Sequence, residues 1–252
     1  MALVSLTNDS RMTGNGRTTQ TRFLRYEHKI ILTSVEVEAV RVWASKNLER
    51  DAFAQDGDAS YSIRTLYLDS PNLDIYHRTS DRGSTKYRIR RYGDEDVVWL
   101  ERKRRRGNVV RKRREGLDLD CLDRVLNGRA DFNGWPGSFR EEADAGGLRP
   151  TLLVLYERSA WNGPSSARLT IDREVRVQVA LDVEDVFAPP VEPTPVTDAV
   201  VLELKFDETM PPCFETVMQL IQKESGSFSK YGRGIEAVGL APVDVPSDAE
   251  AE

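Results

Sequence analysis

A Glu-Xaa-Lys triplet occurs three times in this chain, each time in a segment with the composition of a β-strand. The triplets are Glu27-His28-Lys29, Glu101-Arg102-Lys103 and Glu203-Leu204-Lys205. Because residues i and i+2 of a strand point to the same face of a sheet, each triplet sets a carboxylate beside an ammonium group. The same spacing recurs in Lys86-Xaa-Arg88-Xaa-Arg90 and in Arg168-Xaa-Thr170-Xaa-Asp172. Several strands therefore carry one charged face backed by an apolar face.

Two architectures place such strands differently. In a sandwich the charged faces point to solvent, which is the usual position of a charged strand face. A chain with few helices cannot easily cover so many apolar strand backs, whereas a sheet that closes around a polar lumen meets that need. Arginine also recurs at these positions, and its planar guanidinium group suits phosphate oxygens. The charged strands together favour an α+β fold, an antiparallel β-barrel tunnel of about eight strands with a few flanking helices.

The pattern of elements agrees with this fold. Thr33 and Glu36 form a capping box that begins a helix ending near Leu48. Shorter helices are predicted over 119–126, 139–143 and 213–224. Strands are predicted over 23–32, 61–68, 85–91, 97–104, 109–114, 151–159, 167–171, 174–180 and 200–206. We expect a disordered leader at 1–21, one domain at 22–240 and an acidic disordered tail at 241–252.

The charge is unevenly distributed along the sequence. The whole chain has a net charge of −5, yet residues 82–114 hold fourteen Lys or Arg against four Asp or Glu. A basic block inside an acidic protein indicates a local anion site rather than general adhesion to nucleic acid. No nucleic-acid reader module is recognisable, so we expect no nucleic-acid partner.

Other features limit the cellular compartment and the kind of binding site that we expect. The chain has no apolar run of the ~18 residues that a membrane span needs, and its N-terminus lacks the pattern of a secretory signal. Cys121 and Cys213 are too few for a disulfide framework, so we expect a cytoplasmic protein without a membrane segment. His28 and His77 show no metal-ligand spacing, and no phosphate-binding glycine loop is present. The sequence leaves the oligomeric state open.

An ordered set of motifs resembles a known family. The segments are RYEHK, YLDS, KYRIRRYG, ERK, VLYERSAW, ARLTIDR, LELK and FSKYGRG. Together they resemble the VTC domain, the polyphosphate polymerase domain of the CYTH-like triphosphate tunnel metalloenzyme superfamily, over residues 22–240. Members of that superfamily bind triphosphate-containing substrates in a tunnel of antiparallel strands with basic residues and a divalent metal. The resemblance implies transfer of the γ-phosphate of ATP to inorganic polyphosphate, with release of ADP and with Mn²⁺ or Mg²⁺ as cofactor.

The resemblance also implies roles for individual residues. The catalytic positions are Arg88, Arg90, Lys103, Arg158, Arg168 and Lys230. The substrate-binding positions are Lys29, Lys86, Lys112, Lys205 and Ser229. The metal position is Glu203. These roles are physically consistent, because phosphoryl transfer needs positioned phosphates and neutralised charge more than it needs covalent help from the protein.

Two alternatives remain open. Triphosphatases and cyclases of the same superfamily open with Glu-Xaa-Glu-Xaa-Lys, whereas Arg25 stands here at the first glutamate position, before Glu27 and Lys29. That change removes a metal-binding carboxylate and favours the polymerase branch. The second alternative is a non-catalytic module that binds polyphosphate, because binding and turnover would use the same cations.

Overall fold

The computed structural model describes residues 12–13, 16–53, 60–79, 85–106, 109–126 and 134–241. The strands are β1 (Met12–Thr13), β2 (Gly16–Leu32), β3 (Glu49–Arg50), β4 (Ser60–Asp69), β5 (Thr85–Tyr92), β6 (Val97–Arg106), β7 (Val109–Asp118), β8 (Arg149–Asn162), β9 (Arg168–Val179), β10 (Thr194–Pro195) and β11 (Val200–Asp207). The helices are α1 (Ser34–Asn47), α2 (Asp74–His77), α3 (Leu119–Leu126), α4 (Trp135–Ala145), α5 (Pro212–Ile221) and α6 (Lys230–Ala237), with a 3₁₀ helix at Val183–Val186. Among the described helices, none is long and apolar enough to cross a membrane.

Eight antiparallel strands pair in a circuit. Its order is β2–β7–β6–β5–β4–β8–β9–β11, and β11 pairs with β2 again. The short strands β1, β3 and β10 add to β2, β8 and β9. A circuit of paired strands has an inner and an outer face, and side chains alternate between them. The predicted α+β tunnel of about eight antiparallel strands is confirmed.

The strand β2 begins earlier than the strand predicted at 23–32. Its first half pairs with β7, from Thr18 opposite Glu115 to Leu24 opposite Val109. The start of β2 at Gly16 therefore lies within the segment predicted as a leader. Residues 1–11 of that leader, and residues 242–252 of the predicted tail, lie outside the described residues.

The strands predicted at 167–171 and 174–180 form one strand, β9. Around Glu174, which has a φ of 54°, the pairing with β8 shifts. Such a bulge changes which side chains point to a given face. Asp172 before the bulge bonds to Lys230 at the start of α6, and Val175 after the bulge shares an apolar cluster with Ile235 of α6. The bulge therefore lets β9 present charge along one part of the inner face and apolar side chains along the other.

Helices pack against the outer face of the circuit through two apolar clusters. In one, Leu202 of β11 packs with Val40 of α1 and Phe214 of α5. In the other, Leu100 of β6 packs with Trp135 of α4, whose indole Nε1 donates to the Leu100 carbonyl at 2.9 Å. The helices thus cover the apolar backs of the strands, and the alternate charged side chains are left on the inner face.

A third apolar cluster lies on the inner face and involves α6. Leu152 of β8 and Val177 of β9 pack there with Ile235. The absence of a side chain at Gly234 permits this approach, because a Cβ atom would lie 2.6 Å from Leu152 and 2.8 Å from Val177. The helix was not predicted, since two glycines in eight residues disfavour helix. It fills one end of the tunnel and brings Lys230 to the charged interior.

Candidate active site

The ten basic residues singled out in the sequence come together on the inner side of the circuit. They are Lys29, Lys86, Arg88, Arg90, Lys103, Lys112, Arg158, Arg168, Lys205 and Lys230. The carboxylates paired with them in the described part of the chain are Glu27, Asp51, Glu101, Asp172 and Glu203. Ten cations against five carboxylates leave the interior strongly positive, which favours a bound polyanion.

One group of cations surrounds Glu101 of β6. Its carboxylate accepts from Arg88 Nε at 2.6 Å and lies 2.6 Å from Lys112 Nζ and 3.9 Å from Arg90 Nη1. Arg90 also donates to the Thr65 hydroxyl at 3.1 Å. The Glu101 side chain is fully buried, so it can hold three cations in place without water in between.

A second group lies on the opposite side of the circuit, around Asp172 of β9 and Glu203 of β11. Arg158 makes a two-pronged contact with Asp172 at 2.6 and 2.7 Å, and Lys230 lies 2.5 Å from the same carboxylate. Glu203 lies 2.5 Å from Lys205 and 3.7 Å from Arg158. The two groups therefore present cations from facing walls.

The remaining contacts join the two groups. Lys103 pairs with Glu27 at 2.6 Å, which ties β6 to β2. Lys86 donates to the Ser229 hydroxyl at 3.2 Å, just before α6 begins. Lys29 donates to the carbonyl of residue 228 at 2.7 Å and lies 3.5 Å from Glu203.

Arg168 occupies a different part of the tunnel. It pairs with Asp51 at 2.7 Å and lies 3.3 Å from the Tyr61 hydroxyl. Beside this contact Phe53 stacks on Tyr92, with ring centroids 5.2 Å apart and an interplanar angle of 20°. A cavity of about 390 Å³ opens there. The residues that line it are Ala52, Phe53, Tyr61, Tyr92, Gly93, Asp94 and Glu95.

Comparison with known proteins decides the family. The sequence profile of the VTC domain matches residues 24–238, which is most of the chain. This chain belongs to the VTC domain family. A comparison with curated proteins found no significant match.

Solved structures align with this chain at low sequence identity. A proposed adenylate cyclase from Bacillus halodurans aligns with a TM-score of 0.52 and 10% identity, over 84% of this chain and 97% of that one. The proposed adenylyl cyclase HpAC1 from Hippeastrum, described as having a dominant triphosphatase activity, aligns with a TM-score of 0.48 and 14% identity. That second alignment covers 82% of this chain and 93% of HpAC1. The first likeness supports a shared fold for the VTC domain and the cyclase-like protein.

The charge states inside the VTC domain follow from these contacts. Burial opposes ionisation of Glu101 and Glu203, but the surrounding cations outweigh it and hold both pKa values well below the ordinary range. The pKa of Asp172 falls to about 2 in the same way, since Arg158 and Lys230 overcome the effect of burial. The carboxylates therefore stay charged and keep the cations ordered.

In two lysines, by contrast, the surroundings disfavour the charged form. Burial and neighbouring arginines lower the pKa of Lys112 to about 7, although Glu101 favours its charged form. Burial, with Arg158 nearby, lowers the pKa of Lys205 to about 8 despite Glu203. The positive charge of the interior therefore varies with pH near neutrality.

The tunnel superfamily implies a divalent cation, which would need oxygen ligands in the interior. Within the described residues, no group of three or more His, Cys, Asp or Glu is placed to hold a metal. Glu203 is nine-tenths buried and has Lys205, Lys29 and Arg158 as its ionic neighbours. Glu203 could give a hard divalent cation one carboxylate ligand, and phosphate oxygens and water would have to complete the shell.

Sequence reasoning missed the anchoring carboxylates. Glu101 and Asp172 were visible as members of the i, i+2 patterns, but their function in holding arginines depends on neighbouring strands. Asp51 gave no signal, because it follows a strand of two residues. Lys112 lies on the same face of the sheet as Lys103, because the two residues are direct partners across β6 and β7.

Proposed function

We propose that this VTC domain is a metal-dependent polyphosphate polymerase. It transfers the γ-phosphate of ATP to a growing inorganic polyphosphate chain and releases ADP. The observation that carries this proposal is the excess of cations on the inner face, where ten basic residues meet five carboxylates. An interior lined by that many cations is suited to a chain of phosphates rather than to one phosphate group.

The two facing groups supply what the reaction needs. Phosphoryl transfer requires the attacking and leaving oxygens in line and the charge of the moving group neutralised. Arg88 and Arg90 on one wall, with Arg158 and Lys230 on the other, can hold donor and acceptor phosphates between them. The acceptor is itself a phosphate, so no side-chain nucleophile is needed. Preorganised cations then stabilise the charge that develops in the transition state.

The remaining predicted residues extend this binding surface. Lys103 and Arg168 complete the catalytic set. The positions that bind further phosphates beside it are Lys29, Lys86, Lys112, Lys205 and Ser229. When bound, a divalent metal such as Mn²⁺ or Mg²⁺ would neutralise phosphate charge beside Glu203. Ser229 caps the N-terminus of α6, and its hydroxyl accepts a hydrogen bond from Lys86. This end of the tunnel is therefore polar.

The aromatic cavity beside Arg168 supports a nucleotide donor. Phe53, Tyr61 and Tyr92 offer ring surface for a base, and the exposed Asp94 and Glu95 can accept hydrogen bonds from ribose or base. A cavity of about 390 Å³ is within the usual range of about 300–1,000 Å³ for small-molecule sites. In this arrangement the nucleoside of ATP stays at the mouth and its phosphates enter the tunnel.

The decisive test is turnover by the purified protein with ATP and Mn²⁺, with products resolved by gel electrophoresis and ³¹P NMR. We expect polymer and ADP from the wild type. Glu203→Gln should abolish metal-dependent turnover while polyphosphate binding is largely kept, because it removes a negative metal ligand and no cation. Glu142→Gln, on the outer face at Arg102, is the matched control and should stay active.

Three results would contradict this function. Release of orthophosphate without polymer would indicate a triphosphatase. Tight polyphosphate binding without any turnover in the wild type would indicate a binding module. Polymer made equally fast by Glu203→Gln would refute the metal role of that residue and leave the polymerase activity in place.

A further inference from the structure

The basic segment at 82–114 has two faces, and the tunnel uses only one of them. On β6 and β7, Lys103 and Lys112 lie on the inner side, where they pair with Glu27 and Glu101. The alternate residues point outward. They form what we call the outer arginine strip, which consists of Arg102, Arg104, Arg111 and Arg113. The proposed reaction does not account for this strip.

The strip places like charges directly opposite one another. Arg102 pairs across the ladder with Arg113, and Arg104 pairs with Arg111. Directly opposed like charges destabilise a sheet. On β2, Arg22 is the backbone partner of Arg111. Arginine therefore stands at one level of three adjacent strands, in an arrangement that does not stabilise the sheet.

Few partners inside the protein neutralise the strip. Arg102 pairs with Glu142, and Arg102 and Arg113 lie over the Trp135 ring at 5.1 and 4.5 Å. Arg104, Arg111 and Arg113 form no ion pair with a carboxylate in the described part of the chain. The buried Nε atoms of Arg104 and Arg113 have no hydrogen-bond partner there either. Arg113 packs on Trp135, and among the described residues none of these three guanidinium groups has an anion.

We propose that the outer arginine strip binds phosphate groups of a polyphosphate chain that lies outside the tunnel. Arginine, with its planar fork of donors, is suited to phosphate oxygens, and the strip contains no lysine. The inner and outer rows share one hairpin, so a chain that leaves the tunnel around the end of β6 and β7 meets the strip next. This inference rests on the proposed function, because its ligand is the proposed product.

The surroundings of the strip favour a flexible chain over a flat anionic membrane. The helix α4 flanks the strip and carries Glu141, Glu142 and Asp144. A broad anionic surface would approach these carboxylates as well as the arginines, whereas a narrow chain can follow the strip alone. A chain that spans both sites would also gain affinity over a short one, because the second contact is made within the same complex.

The test compares ligands of different length on one double variant. Arg104→Gln with Arg111→Gln removes two outer charges and leaves every tunnel residue in place. We expect the affinity for long-chain polyphosphate to fall about three- to tenfold, since exposed ion pairs are individually weak. The affinity for tripolyphosphate should stay unchanged. The melting temperature without ligand should be equal to the wild-type value or higher, because repulsion is relieved.

A control pair with the same loss of charge is Arg176→Gln with Arg233→Gln, two exposed arginines elsewhere that have carboxylate neighbours. The control should bind long chains like the wild type. An equal loss in both pairs, or no loss in the strip variant, would overturn the proposal. A loss confined to binding of phosphatidylserine vesicles or of RNA would also overturn it. If the wild type binds neither long-chain polyphosphate nor tripolyphosphate, the proposed function is refuted as well. If it binds tripolyphosphate but the strip variant shows no loss, only the proposal for the strip fails.

Discussion

The triplets of Glu101 and Glu203 have the same spacing but different surroundings. Glu101 is fully buried and its partners come from neighbouring strands, Arg88 of β5 and Lys112 of β7. Glu203 has one close cation, Lys205 of its own triplet at 2.5 Å, with Lys29 and Arg158 at 3.5 and 3.7 Å, and its side chain keeps 9% exposure. The carboxylate of Glu101 is therefore fully enclosed by two close cations, whereas that of Glu203 has one close cation and keeps a small exposed area on the inner face.

The same Glu-Xaa-Lys pattern therefore serves two purposes. A buried carboxylate that holds several cations fixes their geometry before any ligand binds, and such preorganisation is what an electrostatic catalyst needs. A carboxylate at the tunnel surface can exchange partners and take part in binding. The third triplet lies between these cases, because Glu27 pairs with Lys103 on β6 while Lys29 reaches Glu203.

The largest effect should follow Glu101→Gln. Removing one partner of a buried ion pair lowers the free energy of unfolding by about 3–5 kcal/mol. Here the substitution leaves Arg88, Arg90 and Lys112 without their shared anion. Glu203→Gln should lower the free energy of unfolding by only about 1–3 kcal/mol. Chemical denaturation of both variants checks this order. Equal losses, or a larger loss for Glu203→Gln, would contradict the distinction between the two carboxylates.

Binding of tripolyphosphate tests whether the cations around Glu101 contact the ligand. Tripolyphosphate should stabilise Glu101→Gln more than it stabilises the wild type, since the anion replaces the missing carboxylate among three cations. The shift in melting temperature at saturating tripolyphosphate measures this effect. An identical shift in both proteins would mean that the Glu101 cations do not contact the ligand.

The strand pattern predicted more of the fold than of the site. Period-two spacing is a local property, so Lys86, Arg88 and Arg90 could be assigned to one face from the sequence alone. The partner of each cation depends on register between strands far apart in sequence, as for Arg158 and Asp172. The bulge at Glu174 was equally hidden, because a positive φ at a glutamate has no composition signal.

An intermediate effect should follow Arg88→Ala. Loss of a charge-assisted phosphate contact costs about 1.5–3 kcal/mol, which is one to two decades in affinity for tripolyphosphate. The substitution also frees Glu101 from its 2.6 Å partner, which adds negative potential beside the ligand. Isothermal titration calorimetry measures the change. Arg91→Ala is the matched control on the same strand, because Arg91 points outward and donates to the Glu95 carbonyl; similar losses in the two variants would contradict the inward role of Arg88.

The smallest effect concerns pH and separates Lys112 from the arginines beside it. With a pKa of about 7, Lys112 loses its charge as pH rises from 6 to 8, so polyanion affinity should fall over that window. Folding has the opposite sign: the unfolded state binds more protons between pH 7 and about 10, the ordinary lysine value, so stability should rise there. These two signs can be measured independently.

Lys112→Arg tests the assignment, because arginine stays charged throughout this range. We expect the wild type to lose affinity for tripolyphosphate relative to the variant by up to about tenfold between pH 6 and pH 8, equivalent to about 1.4 kcal/mol. Titration of the ligand affects both proteins equally and cancels in the ratio. Lys205→Arg is the companion, and its ratio should change nearer pH 8, where the Lys205 ammonium loses its proton. A ratio for Lys112→Arg that stays constant with pH would show that Lys112 keeps its charge, and that Glu101 outweighs burial and the neighbouring arginines at this position.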